Sequence, residues 1–399
     1  MIPTKLQNIL DDLKNQEWIQ KLAENSEIYI VGGTVRDAFT GKPMKDIDLI
    51  VDGLSYLGIK KVITPYGKLD LVGESFSVIK FRPKGHVGED FDIAVPREDK
   101  KIGDGHKGFE VNTDGVNIMD DLKRRDFTIN SMAINVLTSE LIDPFNGQED
   151  LKNEEIKATD KTAFIEDPLR ILRGIQFAAR FNFDIESDTK ELMRKNSHLI
   201  AEITGERILD EFQKILLKSG DTQTALRLIH ETDVDIALFD KKMIYHDEGF
   251  DKLDPISFYY LLGIIGDQNP AKFYKTRLKG EFRMAKVIDT LDKLLINWPR
   301  LKEDKDQKYV VFQSLKIAPE LRNAELIPVE MVQIIKDMDD GNIPSTINDI
   351  KLNGNDIMSV LGATGKEIGY IMERIQRDAL MNKFEWKDRN KSINYLSNL

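Results

Sequence analysis

The 399-residue chain has no cysteine. Disulfides and thiolate metal sites are therefore excluded, and the composition fits a reducing compartment. Long apolar runs are also missing. The richest, Phe258 to Ile265, falls far short of the ~20 residues that span a bilayer, and no basic N-terminus leads into an apolar core. The expected location is the cytoplasm, away from any membrane. Positive charge is in deficit: 57 Lys and Arg against 68 Asp and Glu give a net charge of −11. A general nucleic-acid coat needs clustered cations, so any RNA contact must be local. Candidate patches are Lys80-Phe81-Arg82-Pro83-Lys84, Arg97 with Lys100-Lys101 and Lys107, and Lys123-Arg124-Arg125, each of which also fits a solvated charged face. What is present is 41% apolar content, enough for a substantial core and for two or more domains.

The stretch Ile28 to Val51, IYIVGGTVRDAFTGKPMKDIDLIV, carries the most chemistry. Its first four residues read as a buried strand, and Gly32-Gly33 lets the backbone turn before Thr34-Val35-Arg36-Asp37 opens a helix. Amides at such a helix start bind phosphate. Asp46 and Asp48 stand two apart entering a second strand, Ile47 to Val51, so both carboxylates share a face. Paired hard oxygens suit Mg²⁺, which shares its remaining positions with water and substrate phosphates. Each half is a short motif that chance can supply. Together, a triphosphate grip and a dicarboxylate on adjacent strands are what phosphoryl or nucleotidyl transfer requires.

These residues resemble the nucleotidyltransferase superfamily that includes DNA polymerase β. More narrowly, they are similar to the bacterial class II tRNA nucleotidyltransferase (CCA-adding enzyme) and poly(A) polymerase family. Three further blocks follow in that family's order: Lys123 to Asn130 (KRRDFTIN), Glu166-Asp167-Pro168-Leu169-Arg170 with Arg173, and Gly205-Glu206-Arg207-Ile208. The firm resemblance covers about residues 28 to 215. It implies an α+β fold: a polymerase β-like head with a mixed sheet, then an all-helical neck, body and tail. The expected divisions are 1–157 for the head, 158–220 for the neck, 221–300 for the body and 301–399 for a tail that binds tRNA. The apolar patterning agrees, since strand-like runs (IYIV, IDLIV, FSVIKF, FDIAV, INSMAINV) give way near Thr159 to helical stripes such as Leu169, Leu172, Ile175, Gln176 and Ala179.

The implied reaction is addition of C, C and A to a tRNA 3′ end from CTP and ATP, without a nucleic-acid template. The 3′-hydroxyl would attack the α-phosphate and pyrophosphate would leave. Asp46 and Asp48 are the expected Mg²⁺ ligands and catalytic groups. Asp92, which alternates with the apolar Phe91 and Ile93, is the candidate third catalytic carboxylate. Gly32, Gly33 and Arg36 would hold the triphosphate, and the resemblance carries nucleotide or ribose binding onto Arg125 and Asp126. Asp167 and Arg170 sit three apart at a helix start. Asp167-Pro168 also fits a plain N-cap with proline at the first helical position. As a base reader, an acceptor beside a donor matches cytosine and adenine and opposes uracil and guanine. Arg173 continues that face toward phosphate. Three residues on, where the family usually has another Arg, this chain has Gln176.

His246-Asp247 sits in a polar stretch and reads as a surface loop, not a phosphohydrolase centre. Leu352 to Ile357 and Gly362 to Gly369 resemble the tail motif of CCA-adding enzymes and read as a capped helix, a glycine turn and a second helix start. No protein partner is implied. The alternatives are a poly(A) polymerase or a CC-only or A-only enzyme, the choice resting on a loop near Arg97 to Phe109, and, from another class, a non-catalytic RNA-binding relative.

Overall fold

A computed structural model describes residues 2–44, 47–70, 78–101, 109–219, 221–243, 252–301 and 304–399. The chain divides into two compact units, Met1–Asp251 and Lys252–Leu399.

The first unit opens with helices α1 (Thr4–Lys14) and α2 (Glu17–Ala23), then β1 (Glu27–Val31), α3 (Gly33–Phe39), β2 (Ile47–Asp52) and α4 (Tyr56–Ile63). Strands β3 (Gly67–Asp70), β4 (Val78–Pro83) and β5 (Phe91–Ala94) follow, with a hairpin of β6 (Glu98–Lys101) and β7 (Phe109–Asn112). Next come α5 (Ile118–Lys123), β8 (Ala133–Asn135), β9 (Leu141–Ile142), α6 (Gly147–Lys152) and β10 (Glu155–Ile156). Seven strands form one mixed sheet in the order β3-β4-β5-β2-β1-β8-β9. Within it β2 and β5 run parallel, with Asp48 opposite Asp92, and the other neighbours are antiparallel.

Alternation along these strands gives the sheet two different faces. On one, Ile28, Ile30, Leu49, Val51, Ile79, Phe81, Phe91 and Ile93 are buried. Trp18 of α2 fills that face, its ring centroid 5.0 Å from Phe81 and 5.4 Å from Phe91. On the other, Tyr29, Val31, Ile50 and Ala133 pack beneath Ile118 and Leu122 of α5. Beyond that apolar patch the same face turns polar, carrying Lys80, Asp48 and Asp92 at aligned positions of β4, β2 and β5.

One expected strand is shorter than its apolar pattern. The run from Ile129 to Val136 does not extend throughout; Thr128–Asn130 forms a 3₁₀ turn, and the strand is confined to Ala133–Asn135. Local polar bonds hold the turn. The Thr128 hydroxyl donates to Asp150 at 2.6 Å, Ser131 donates to the Phe127 carbonyl at 3.0 Å, and the Asn130 amide donates to Asp126 at 2.9 Å. Such bonds compete with a ladder for the same backbone.

After β10 the unit is helical apart from the short β11 (Asp184–Ile185), which pairs in parallel with β10. Helices α7 (Ala163–Glu166), α8 (Leu169–Phe181), α9 (Ser187–Asn196), α10 (Gly205–Lys218), α11 (Thr222–Glu231) and α12 (Val234–Phe239) make up this part. Leu172, Ile175 and Ala179 of α8 and Ile208, Phe212 and Ile215 of α10 are buried, as their helical spacing predicts. Phe127 meets Phe177 of α8 edge-on at 5.9 Å, which fixes that helix to the loop following α5.

The second unit contains helices α13 (Pro255–Ile265), α14 (Pro270–Thr276), α15 (Phe282–Asn297), α16 (Asp304–Ile317), α17 (Val329–Asp339), α18 (Gly354–Leu361), α19 (Lys366–Leu380) and α20 (Arg389–Leu396), and no strand among its described residues. Asn353 and Asp356 form a reciprocal capping box at the start of α18, and Gly362 closes that helix with φ +69°. No helix of the described residues is long and apolar enough to cross a membrane.

Trp18 is 2% exposed against two aromatic rings. Trp18→Ala is expected to lower the stability of the first unit by about 3–5 kcal/mol, read as a shift of its urea midpoint. A loss within experimental error would show that the sheet face does not depend on this ring.

Candidate functional site

The turn after β1 sets the first constraint. Gly32 has φ +65° and ψ −126°, and a Cβ there would lie 2.5 Å from Arg125 Nη1. A side chain would be both strained and in collision. Gly33 lies in ordinary conformation, and a Cβ on it would meet Arg36 at normal contact distance. Arg36, one turn into α3, is 5% exposed. Its Nε and Nη2 pair with Asp37 at 2.8 and 2.7 Å, and its Nη1 donates to Asn130 Oδ1 at 2.6 Å. Its guanidinium also lies over the rings of Phe177 and Phe181, 5.4 and 4.9 Å from their centroids.

Asn130 relays this contact onward. Its amide nitrogen donates to Asp126 Oδ1, which also accepts the Phe127 N–H at 2.8 Å. The other oxygen of Asp126 receives Arg173 through Nε at 2.8 Å and Nη2 at 2.7 Å. Beside it Asp121, fully buried in α5, grips both neighbouring arginines. Oδ1 takes Arg124 at 3.0 and 2.7 Å, and Oδ2 takes Arg125 at 3.1 and 2.9 Å. Burial alone would raise both carboxyls. The guanidinium groups of Arg125 and Arg124 outweigh it at Asp121, and Arg173 with Asn130 and the Phe127 amide outweighs it at Asp126, so both stay below the ordinary carboxylate value. For Arg173 the attraction of Asp126 is the largest effect and raises its pKa.

Of the expected carboxylates, Asp48 and Asp92 stand side by side on β2 and β5, both partly exposed. Lys80, across from Asp92 on β4, places its ammonium 3.1 Å from Asp92 Oδ1. Asp46 lies outside the described residues, as do the glycines of the segment between β6 and β7 and the His246-Asp247 pair. Among the described residues no group of three or more candidate ligands surrounds a common point. The donors of Asp48 and Asp92 are hard carboxylate oxygens on one face, which fits Mg²⁺.

Asp167 precedes α8 and accepts the Leu169 N–H at 3.3 Å, while Arg170 donates from Nη2 to the Arg124 carbonyl at 2.6 Å. Arg207 of α10 reaches Asp167 at 3.4 Å. Arg207 therefore faces the cleft and positions Asp167.

These groups line one cleft of about 750 Å³ in the first unit, running between the sheet and α8 and α10. Gly33, Arg36, Asp48, Arg125, Asp126, Asp167, Arg170 and Arg173 all contribute to its wall, and Gln176 does so while 3% exposed. Gly32 lies at the turn beneath Arg125, and Asp92 stands beside Asp48 outside the lining. Ten Lys and Arg side chains face five carboxylates across this cleft, the local cation excess that the acidic composition requires of any polyanion site. Sequence reading missed Asp121, Arg180, Lys214 and Lys218. For Asp121 a signal existed, because spacings of three and four to Arg124 and Arg125 put the three on one helix face.

The model for the "Poly A polymerase head domain" matches residues 28–157, and that for the "Probable RNA and SrmB- binding site of polymerase A" matches residues 182–239. The chain is 29% identical to the CCA-adding enzyme of Streptococcus mutans over 94% of its own length and 93% of that protein. It is 36% identical to the multifunctional CCA protein of Pseudoalteromonas atlantica, over 48% of this chain and 46% of that one, so it spans about half the length of that relative. The Thermotoga maritima CCA-adding enzyme, solved in complex with tRNA_CCA, superposes with a TM-score of 0.67 at 25% identity, over 98% of this chain and 95% of the other.

Two variants test the scaffold of the cleft. Gly32→Ala should cost about 1–3 kcal/mol, the scale of one strained backbone position, visible as a lower urea midpoint; an unchanged midpoint would mean that Arg125 yields without loss. Asp121 and Asp126 bind protons less readily when folded than at the ordinary value of 3.8. The unfolded chain therefore takes up more protons, and their contribution is fully present above about pH 4 and is lost as pH falls below it. Asp121→Asn should flatten that acid-side loss and lower stability at pH 7 by about 3–5 kcal/mol, the scale of breaking a buried ion pair. An acid-unfolding curve parallel to wild type would refute the clamp.

Proposed function

The chain belongs to the family of class II CCA-adding enzymes and poly(A) polymerases and is a nucleotidyltransferase; from that premise we propose that it adds C, C and A to the 3′ end of tRNA from CTP and ATP. The observation that carries this reading is the cleft in which Asp48 of the sheet, the Asp167-Arg170 pair of α8 and a cation-rich wall converge. The relatives named CCA-adding enzyme, matched along nearly the whole chain, support the same product. The proposed plan of the chain is a head over 1–157, a neck over 158–220, a body over 221–300 and a tRNA-binding tail over 301–399. The cytoplasm, where tRNA is processed, is the proposed location.

Asp46 and Asp48 would hold Mg²⁺, and Asp92, beside Asp48 on the sheet, would orient the attacking group. The ion would supply Lewis-acid stabilisation of the attacking and leaving oxygens. Around that point the chain positions its substrates. The Gly32-Gly33 turn and Arg36 face the phosphates, and Arg36 is held in one orientation by Asp37, Asn130 and two rings. Arg125, fixed by Asp121, supplies a second phosphate-facing guanidinium. Asp126 is committed to Asn130 and Arg173, so its role is to set Arg173 and the Arg36 relay at the nucleotide. Asp167 presents an acceptor and Arg170 a donor, the edge pattern complementary to cytosine and adenine. Guanine and uracil would set a carbonyl against Asp167 and leave Arg170 facing a donor, an unpaired arrangement. Lys80 neutralises Asp92 and keeps it oriented beside Asp48.

The test is incubation with Mg²⁺, all four nucleoside triphosphates and a tRNA ending at its discriminator base, followed by sequencing of the new 3′ ends. Ends that stop at CCA are expected. Asp48→Ala should lower kcat by about a thousandfold or more, since several kcal/mol of charge stabilisation depend on that ligand. Runs of A would show a poly(A) polymerase, CC or A alone a partial enzyme, and no incorporation a binding protein.

A further inference from the structure

The cleft continues past the nucleotide-facing groups. From Arg170 to Arg180, α8 advances about 15 Å at 1.5 Å per residue, and at its far end a second set of cations gathers around one ring. Lys42 Nζ lies 4.0 Å from the Phe181 centroid, Arg180 lies 4.8 Å from it, and Arg36 lies 4.9 Å from it. Lys214 and Lys218, one turn apart on α10, line the same end of the cleft with Arg180 and Arg36.

Counter-charge is scarce at this end. Asp37 gives its Oδ1 to Arg36 at 2.7 Å, and its Oδ2 lies 3.9 Å from Arg180. Glu211 serves Lys214 at 2.7 Å. Burial lowers the pKa of Lys42, and Arg180 adds to that; burial likewise lowers that of Lys218, with Arg180 and Lys214 adding to it. The C-terminal dipoles of α8 and α10 favour a cation each. They do not account for Arg36 and Lys42, which arrive from α3 and the turn beyond it and are held against the same ring.

We propose that this end of the cleft, where Arg180 and Lys218 line the wall and Lys42 adjoins Arg180 across the Phe181 ring, is a second phosphate subsite, separate from the Gly32-Gly33 turn. Phosphate is the chemical class that fits: Arg180 supplies a planar fork and the lysines supply point charges. Two sources carry that chemistry here, the terminal phosphates of the nucleotide, which depart as pyrophosphate, and a backbone phosphate of the RNA. The inference rests on the nucleotidyltransferase reading of the cleft.

The experiment compares the full chain with Lys42→Ala/Lys218→Ala, both at exposed or half-exposed positions, and with Arg180→Gln. Three quantities are read: the inhibition constant of inorganic pyrophosphate against CTP, the KM for CTP and the KM for tRNA as salt is varied. A rise of about tenfold in the pyrophosphate constant, with the tRNA KM within about twofold, assigns the subsite to the nucleotide's phosphates. A rise of about tenfold in the tRNA KM, with a salt slope smaller by about one, assigns it to the RNA backbone. Both constants within about twofold of wild type, in both variants, overturn the proposal and leave solvated cations at helix ends. If the wild-type chain incorporates no nucleotide, the nucleotidyltransferase reading fails by itself. Direct binding of pyrophosphate and of tRNA to wild type and variants, by calorimetry, then decides the subsite: weaker binding of either in the variants supports it, and equal binding overturns it.

Discussion

Two buried carboxylates hold the cleft together. Asp121 and Asp126 lie in consecutive parts of one short segment, and between them they fix Arg124, Arg125 and Arg173. A cation-lined cavity is unstable by itself, because like charges repel and each guanidinium has several donors to satisfy. Pairing the wall's arginines with Asp121 behind it and Asp126 buried within it resolves both problems. Removal of Asp121 would leave Arg124 and Arg125 mutually repelled, and removal of Asp126 would leave Arg173 without its carboxylate. The fold is organised around these acids: α5 places Asp121, the 3₁₀ turn places Asn130 beside Asp126, and α8 brings Arg173 to meet them.

Asn130 makes the arrangement continuous. Through its two amide ends it joins Arg36 on α3 to Asp126, and so to Arg173 on α8. The turn after β1 and helix α8 are therefore parts of one hydrogen-bonded unit. The sheet contributes rigidity from the opposite side. Its apolar face is closed by Trp18 and its polar face carries Asp48 and Asp92, so the carboxylates sit on paired strands and not on a loop. A site built on strands and a buried network is held more closely than one built on loops.

Much of this was legible in the sequence, and the parts that were not have physical reasons. The strands containing Ile28 to Val31 and Ile47 to Val51, the placing of Asp92 opposite the apolar Phe91 and Ile93, and the helix from Leu169 follow from periodicity and from Gly32-Gly33; the register that sets Asp48 beside Asp92 does not. The shortened strand at Ala133–Asn135 did not, because its apolar residues read as extended while the decisive bonds are made by Thr128, Asn130 and Ser131 to distant or local partners. The polar partners of the site residues were likewise hidden. That Asp126 is committed to Arg173, forty-seven residues away, is a tertiary fact with no local spacing to announce it. The same holds for Arg207 reaching Asp167, and for Lys42 and Arg180 meeting on Phe181.

The acidic balance of the whole chain and the basic cleft are consistent once field geometry is considered. A net charge of −11 repels a polyanion at long range, but that repulsion is screened within about 8–10 Å at physiological salt. Inside a cleft walled by low-dielectric helices the local excess of guanidinium groups is screened much less. A phosphate-bearing ligand therefore gains little from the general surface and much from the cleft, which discourages non-specific binding along its length. In the proposed reaction, specificity would then depend on groups that act only at contact, the Asp167-Arg170 edge among them, and these line a cleft whose charge Asp121 and Asp126 have already ordered.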